Sequence, residues 1–403
     1  MKVVIVGAGQ AAATCAFRLR EHGFQGQVTV LGEEPVLPYQ RPPLSKKYLN
    51  GLAPIDDLFI RPANSYEDEK IDIHLNLKVE SVVVHEKQVV TQGGQVFSYD
   101  KLVFATGSRA RPLPGLPNED LKNVFTFRDL KDADALNGYL KPGKRMVIIG
   151  GGYIGLEIAA VARTAGVEVV MLERADRILQ RVACKETSDF VRHFHFKRGV
   201  RIFEGAEVAR YITQDGAVSG VQLQSGEELP ADLLVVGIGI IPNAELACAA
   251  GIELALDAIK VDQQCRTSTD SVYAIGDCTS FEFHGKTIRL ESVQNALEQA
   301  DTTARDIIGL EGKYAPKPWF WSDQYSYKMQ IAGLSFDHDQ VISRITPDGT
   351  SASFWYFKGE VLQAVDSISD PRAFMLAKKH VGTVVVKKAQ LSDSSQDLKA
   401  IFS

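Results

Sequence analysis

Lys2-Val-Val-Ile-Val-Gly7-Ala-Gly9-Gln-Ala-Ala12 opens the chain, and the segment it begins runs on to the apolar strand Val28 to Leu31 and the acid Glu33. The run reads as a strand, a glycine turn, a helix and a second strand, in the G-x-G-x-x-A form of a dinucleotide-binding turn. Gly7 permits the tight turn, Gly9 lets the backbone approach a pyrophosphate, and the small Ala12 lets the helix lie close to the strand. A phosphate would then sit at a helix N-terminus, where unpaired N–H groups and the helix dipole favour negative charge. Glu33 follows Ala12 by about 20 residues, the spacing of an acid that accepts hydrogen bonds from ribose hydroxyls. The same plan recurs further along: Arg145-Met-Val-Ile-Ile149, then Gly150-Gly-Gly152-Tyr-Ile-Gly155, a helix to about Gly166, and a strand from Val167 to Leu172 that ends in Glu173. Two nucleotide sites in one chain point to electron transfer between them.

The bulk composition is compatible with that reading. A length of 403 residues allows two to four domains, and 45% hydrophobic with 24% charged residues is the make-up of an ordinary globular protein. A formal net charge of -5 gives no support for nucleic-acid binding. The five cysteines, Cys15, Cys184, Cys248, Cys265 and Cys278, form no C-x-x-C pair and no metal-ligand spacing, so they read as reduced structural thiols and no metal site is expected. The first strand starts at Lys2, which leaves no room for a targeting peptide, and no run approaches the ~18 apolar residues of a membrane span. A cytoplasmic protein without membrane contact is expected.

Outward from the first unit, Pro38-Tyr-Gln-Arg41-Pro42-Pro43-Leu-Ser-Lys46-Lys47 gives a stiff, proline-fixed entry to a helix start. Lys46 is either a cation held over a redox ring or one of two solvated lysines. Alternating residues from Ile71 to Ser98 predict a β-meander. Strand Lys101 to Ala105 ends at Thr106-Gly107, on the ligand side of a doubly wound sheet, and Arg109, Arg111, Pro112, Pro114 and Pro117 make a stiff crossing to the second unit. There, a helix is predicted near Lys185 to Arg198, hairpins at Asp215-Gly216 and Ser225-Gly226, and a strand Leu233 to Val236 running into Gly237-Ile-Gly239. The strand Ser271 to Ile275 delivers Asp277, either to a polyol chain or as a cap. A helix opening near Glu291 carries Val293 in its first turn and points its N-terminal amides toward an electron-rich ring edge. Lys317 begins a last, α+β region with four further strands and a helix Pro371 to His380; Trp319 and Trp321 at its entrance are either core or function.

The order GAGQAA, PYQRPPLSK, ATG, GGGYIGLE, GIGIIPN, AIGDC, ESVQNA and PWFWSDQY resembles the oxygenase-coupled, NADH-dependent ferredoxin reductases, flavoproteins of the putidaredoxin reductase type, over nearly the whole chain. The resemblance implies an α/β fold with two Rossmann-like dinucleotide-binding domains, for FAD and NAD, plus a C-terminal α+β domain. The implied boundaries are 1–114 and 241–317 for FAD, 115–240 for NAD and 318–403 for the last. It implies that Gly7, Gly9, Ala12 and Glu33 hold the ADP part of FAD, with Arg41, Lys46, Ala105, Thr106, Gly107, Asp277 and Val293 along the rest of that cofactor. Gly150, Gly152, Gly155 and Glu173 would hold NADH, and Arg128 and Gly239 are further cofactor-binding candidates. Lys46 and Glu157 would form an ion pair beside the flavin and place the nicotinamide rather than donate protons. Trp321 would lie near the ring.

Relatives that relay electrons through thiols carry cysteines just before the lysine turn, whereas no cysteine stands between Cys15 and Cys184 here. Electrons must then pass to oxygen or, one at a time, to an outside acceptor, and a 2Fe-2S ferredoxin serving an oxygenase, a cytochrome monooxygenase or ring-hydroxylating dioxygenase, fits the second route. Glu173 would repel a 2′-phosphate and favours NADH, although the adjacent Arg174 works the other way if it turns inward. A rubredoxin reductase shares the same cofactor apparatus, and an NADH-sensing flavoprotein resembling apoptosis-inducing factor is the competing reading of a different class. Lys378, Lys379, Lys387 and Lys388 are either a docking surface or a solvated basic face, and a monomer or homodimer is expected.

Overall fold

Val3 to Val6 offer solvent no polar face, so the strand they form must be covered on both sides. The computed structural model describes residues 1–116 and 121–402 and buries all four inside a parallel sheet. The chain divides into two compact units, Met1–Arg41 with Pro54–Arg109 and Ile240–Pro316, and Pro42–Ala53 with Ala110–Gly239 and Lys317–Ser403. Pro117, expected in the stiff crossing, lies outside the described residues.

In the first unit the parallel sheet runs Val272–Ala274, Lys101–Phe104, Lys2–Val6, Gln27–Leu31, Ile71–His74. Val6 is level with Leu31 on one side and Phe104 on the other, so Gly7, Gly32 and Ala105 leave the sheet together at its carboxyl edge. Helix Gln10–Glu21 buries Ala12, Cys15, Ala16 and Leu19 and packs along helix Val293–Ile307. The meander is shorter than the sequence suggests. Val79–Val83, Gln88–Thr91 and Val96–Ser98 pair antiparallel, but Ile71–His74 joins the parallel sheet through Val28 opposite Ile71. An alternating strand of four residues suits a half-covered sheet edge as well as a hairpin, so alternation alone cannot separate the two.

The second unit repeats the plan. Its parallel sheet runs Arg201–Phe203, Glu168–Leu172, Arg145–Ile149, Leu233–Val236, Val124–Thr126. A hairpin sheet of Val208–Gln214, Ala217–Leu223 and Glu228–Pro230 packs on it through Val218, Val221, Leu223 and Leu229. The helix expected near Lys185 spans Lys185–Phe196. The two glycine turns are near copies. Gly7 and Gly150 hold φ of 110° and 108°, and their N–H groups donate to Leu31 O and Leu172 O, each at 2.8 Å. A Cβ at Gly7 would stand 2.2 Å from Ala105 O, and one at Gly150 2.4 Å from Gly237 O.

The C-terminal sheet is antiparallel, in the order Trp319–Gln324, Tyr327–Gly333, Val361–Ile368, Ala352–Lys358, Gln340–Ile345. Helix Pro371–His380 stands where it is predicted, capped by Asp370, whose carboxylate accepts from the Ala373 N–H at 3.0 Å. Two short turns of helix, Lys388–Ser392 and Leu398–Ile401, are too brief to show periodicity in sequence, yet Leu391, Leu398 and Ile401 close the core over Trp355 and Phe357. Trp319 packs against that core. Cys15, Cys184, Cys265 and Cys278 are buried, and burial pushes the Cys15 thiol up to about 12, so it is an inert neutral thiol; Cys248 is exposed. Among the described residues no helix is long and apolar enough to cross a membrane.

Within that last sheet, Asp366 is fully buried. Its Oδ2 accepts from Tyr356 Oη–H and, at 2.8 Å, from Thr187 Oγ1–H, while the Cys184 N–H donates to Tyr356 Oη at 2.8 Å. Burial outweighs these donors and pushes the carboxyl up to about 6. A carboxyl whose folded-state affinity for protons exceeds the unfolded one stabilises the fold at low pH and loses that contribution as pH rises from about 4 through about 6. The stability of the parent over Asp366→Asn should therefore fall by roughly 2–3 kcal/mol between pH 4 and pH 7, as read from urea unfolding at each pH. Gly150→Ala should cost roughly 2–5 kcal/mol, from backbone overlap and the positive φ, seen as a lowered urea midpoint.

Candidate cofactor sites and a buried ion pair

Topology alone gathers the predicted residues of the first unit. Gly7, Glu33, Ala105 and Asp277 follow four neighbouring strands of one parallel sheet and emerge at its carboxyl edge, where open α/β sheets take ligands. Helix Gln10–Glu21 starts at Gly9 with no side-chain cap and no acid in its first turn, and a Cβ on Gly9 would meet nothing within 4 Å. Ala12 is fully buried in the close helix packing. An open, uncapped helix end above a glycine turn is what a dinucleotide pyrophosphate requires, so the residues present fit the ADP part of FAD. Glu33 is exposed and pairs with Lys78 at 2.8 Å, a contact weak enough to yield to a ribose.

Around this edge, side chains that sequence reasoning assigned no role set the geometry. Thr106 Oγ1–H donates to Asn243 O at 2.5 Å, Asn243 Nδ2–H donates to Thr106 O at 2.9 Å, and the Asn243 N–H donates to Gly107 O, so the last residue of GIGIIPN locks the ATG turn. Asp277 Oδ2 accepts from Ser108 Oγ–H at 3.0 Å, and Gln299 Oε1 accepts the Gly276 N–H at 2.7 Å, which fixes the turn carrying Asp277. Val293 opens the helix Val293–Ile307, whose cap Ser292 accepts the Asn295 N–H at 3.2 Å. Arg41 is held by Glu34 at 2.5 Å and lies over the Tyr39 ring. Arg109 pairs with Glu245 at 2.6 Å, which accounts for one of the two loop arginines.

The second unit places Gly150, Glu173, Gly239 and Arg128 beyond the carboxyl ends of four strands of its own sheet. Gly152 begins helix Tyr153–Thr164 without a side-chain cap and with open space around it, and a Cβ on Gly155 would meet Gly150 O at 2.4 Å. Glu173 faces the glycine turn: Oε2 accepts the Gly151 N–H at 2.7 Å and Oε1 the Ala175 N–H at 2.8 Å. Its carboxylate thus stands beside the glycine-turn backbone, where the resemblance puts a ribose, while Arg174 is exposed. Arg128 is half-buried at the entry to helix Leu130–Asn137, and its N–H donates to Asp132 Oδ2 at 2.7 Å. Burial, with Asp129 adding to it, pushes the Asp132 carboxyl up to about 6.

The same unit brings Lys46 and Glu157 together. Lys46 Nζ lies 2.8 Å from Glu157 Oε2, with the lysine side chain 14% exposed and the glutamate 4%. Neighbouring Lys47 is exposed, so the two lysines of the turn part ways, one inward and one outward. Glu157 also accepts from Ser45 Oγ–H on Oε2 and from Ser322 Oγ–H on Oε1, the latter at 2.6 Å. Burial raises the Glu157 carboxyl; Lys46 and the two serines oppose it. Neither serine stands out in sequence, since a serine in a turn or strand has many other uses. Trp321 stacks on Trp319 at 5.5 Å between ring centroids. Of the basic residues near the C-terminus, Lys378 lies over Trp319, Lys387 donates to Ala400 O and Lys388 pairs with Glu360.

Comparison with known proteins agrees with this geometry. Residues 1–300 match the family described as pyridine nucleotide-disulphide oxidoreductase, and residues 319–402 match the one described as reductase C-terminal. Rhodocoxin reductase of Rhodococcus erythropolis is 38% identical over 99% of this chain and 94% of its own length. Rubredoxin-NAD(+) reductase of Pseudomonas putida is 37% identical over 92% of this chain and 97% of its own. The solved covalent complex of putidaredoxin reductase with putidaredoxin superposes with a TM-score of 0.96 and 37% identity, over 100% of this chain and 98% of that one. Two uncapped dinucleotide turns, a buried lysine–glutamate pair and these matches make one case: the chain belongs to the pyridine nucleotide-disulphide oxidoreductase family, among its ferredoxin reductases, and is a flavoprotein oxidoreductase that uses FAD and NADH.

Proposed function

We propose that this protein is an NADH-dependent ferredoxin reductase that passes electrons singly to a 2Fe-2S ferredoxin supplying an oxygenase, a cytochrome monooxygenase or a ring-hydroxylating dioxygenase. The observation that carries the reading is the buried Lys46–Glu157 pair in a chain with no cysteine between Cys15 and Cys184. FAD, when bound, supplies an acceptor that takes a hydride and can be emptied one electron at a time. The protein's part is binding, orientation and charge. Gly7 and Gly9, and likewise Gly150 and Gly152, offer backbone N–H groups to the two pyrophosphates. Glu33 and Glu173 accept from ribose hydroxyls, and Asp277 from the polyol. Arg41, Ala105, Thr106, Gly107 and Val293 shape the rest of the FAD site, and Arg128 and Gly239 are further cofactor-binding candidates.

Lys46 and Glu157 act as fixed charges. Held at 2.8 Å from each other, they would need little rearrangement on reduction, and the Lys46 ammonium would offset negative charge on a bound flavin. Glu157, with its oxygens already held by Ser322, Ser45 and Lys46, would serve to keep a bound nicotinamide oriented. The FAD-binding domain is read as 1–114 with 241–317, interrupted by the NAD domain 115–240 and followed by 318–403, and the protein as cytoplasmic, a monomer or homodimer. The partnered state of Lys378, Lys387 and Lys388 favours a structural role for that basic face over a docking one.

Anaerobic mixing with NADH should bleach the yellow protein rapidly, NADPH should do so far more slowly, and added 2Fe-2S ferredoxin should speed reoxidation more than rubredoxin does. Faster turnover with rubredoxin would make the protein a rubredoxin reductase, and no acceleration by either carrier would favour a sensor. Lys46→Ala should retain FAD but slow bleaching at least about tenfold in stopped-flow, because Glu157 loses its counter-charge. Glu173→Ala should raise the KM for NADH about tenfold and narrow the preference over NADPH, the loss of hydrogen bonds to a carboxylate.

A further inference from the structure

The Glu157 carboxylate is the end of a buried hydrogen-bonded chain that runs in one direction. His195 Nε2 lies 2.7 Å from Gln324 Oε1, which also accepts from Tyr327 Oη–H at 2.8 Å. Gln324 Nε2–H donates to Ser322 Oγ at 3.1 Å, and Ser322 Oγ–H donates to Glu157 Oε1 at 2.6 Å. An amide oxygen only accepts, so His195 carries its proton on Nε2, and its Nδ1 has no partner. Burial holds that imidazole well into its neutral form, down to about 4. Since Ser322 already accepts from Gln324, its single proton is committed to Glu157. On the other oxygen stand Ser45 and Lys46. Both oxygens of Glu157 thus face donors, and a protonated carboxyl would have to set its own O–H against one of them.

We propose that Ser322 is a positioning residue for the reductase, its hydroxyl oriented by Gln324 and His195 so that Glu157 is held as a carboxylate facing Lys46. The proposal rests on the role given to that ion pair above. The other charged or titratable groups on the elements packed around Glu157 are few. From the lysine turn, Lys46 is in contact and Lys47 is exposed; from strand Trp319–Gln324, Asp323 alternates to the opposite face. On its own helix Tyr153 is half-buried and kept neutral by desolvation, and Arg163 donates to the carbonyls of Arg198 and Val167; Tyr48, at the end of the lysine turn, donates to Asp134. From the adjoining strands, Arg145 is paired with Asp232 and Glu168 is exposed, both at the amino ends. Ser322 is therefore the one donor to Oε1 among the described residues, and it reaches Glu157 from a strand of the C-terminal sheet.

The test uses the full-length, FAD-loaded protein and its Ser322→Ala, Ser322→Cys and Ser322→Thr variants, with Glu157→Gln as reference. Infrared difference spectra of the oxidised protein across pH, recorded without NADH, report protonation of Glu157 as the buried carboxylic-acid band that Glu157→Gln lacks. Removing a donor to the charged form disfavours that form, so the midpoint should rise by about one pH unit in Ser322→Ala and Ser322→Cys. Ser322→Thr, which keeps the hydroxyl, should restore it. The acid limb of NADH-dependent bleaching should move by the same amount. An unchanged midpoint in folded Ser322→Cys, whose thiol keeps the volume and only weakly donates, overturns the proposal. If NADH fails to bleach the parent protein, the reductase reading falls on its own, and the infrared titration still decides what Ser322 does.

Discussion

The close approach of backbone to backbone at Gly7 and Gly150 is the constraint on which both halves of the protein depend. Each glycine turns the chain from a central strand into a helix while passing within van der Waals reach of a carbonyl on the next strand, Ala105 in one unit and Gly237 in the other. Because the strands are parallel and in register there, every neighbour ends at the same level, and the loops that carry the polar residues share one edge. The helix N-terminus that follows has no side-chain cap in either copy. A cap would satisfy the same N–H groups that a phosphate needs, so its absence costs helix stability and leaves those donors available to an anion.

A different economy governs the lysine–glutamate pair. Burying a carboxylate is unfavourable unless its lone pairs are filled, and here a cation and two serine hydroxyls fill them. Such an arrangement adds little net stability compared with an apolar core of the same volume. In the proposed reductase, what it would supply is a fixed electrostatic field, with charges that need not reorganise as a bound redox ring is reduced. The serine on strand Trp319–Gln324 makes the C-terminal sheet part of that arrangement, which gives the sheet a role beyond enclosing its own core of Trp355 and Phe357.

Asp366, Tyr356 and Thr187 form a second polar knot in the same unit, and it differs in kind. It has no lysine or arginine bonded to the carboxyl, and burial leaves that carboxyl readily protonated, so it joins elements by hydrogen bonds that work in either charge state. The lysine–glutamate site differs in placing Lys46 against one oxygen, which opposes the push of burial on the Glu157 carboxyl.

The sequence by itself determined the duplicated α/β plan, because glycine spacing, apolar runs and strand-ending acids are local and repeated, and local steric rules act on them without help from the rest of the chain. Gly7, Gly9, Gly150, Gly152, Glu33, Glu173 and Asp277 were legible for that reason, and Lys46 with Glu157 through resemblance. The pairing of Ile71–His74 with the parallel sheet, the lock between Thr106 and Asn243, and the contact of Ser322 with Glu157 were decided only by the tertiary structure. Each depends on which residues the fold brings together from distant points of the chain. A serine or an asparagine shows no periodicity and no fixed spacing, so its partner exists only once the strands are in register.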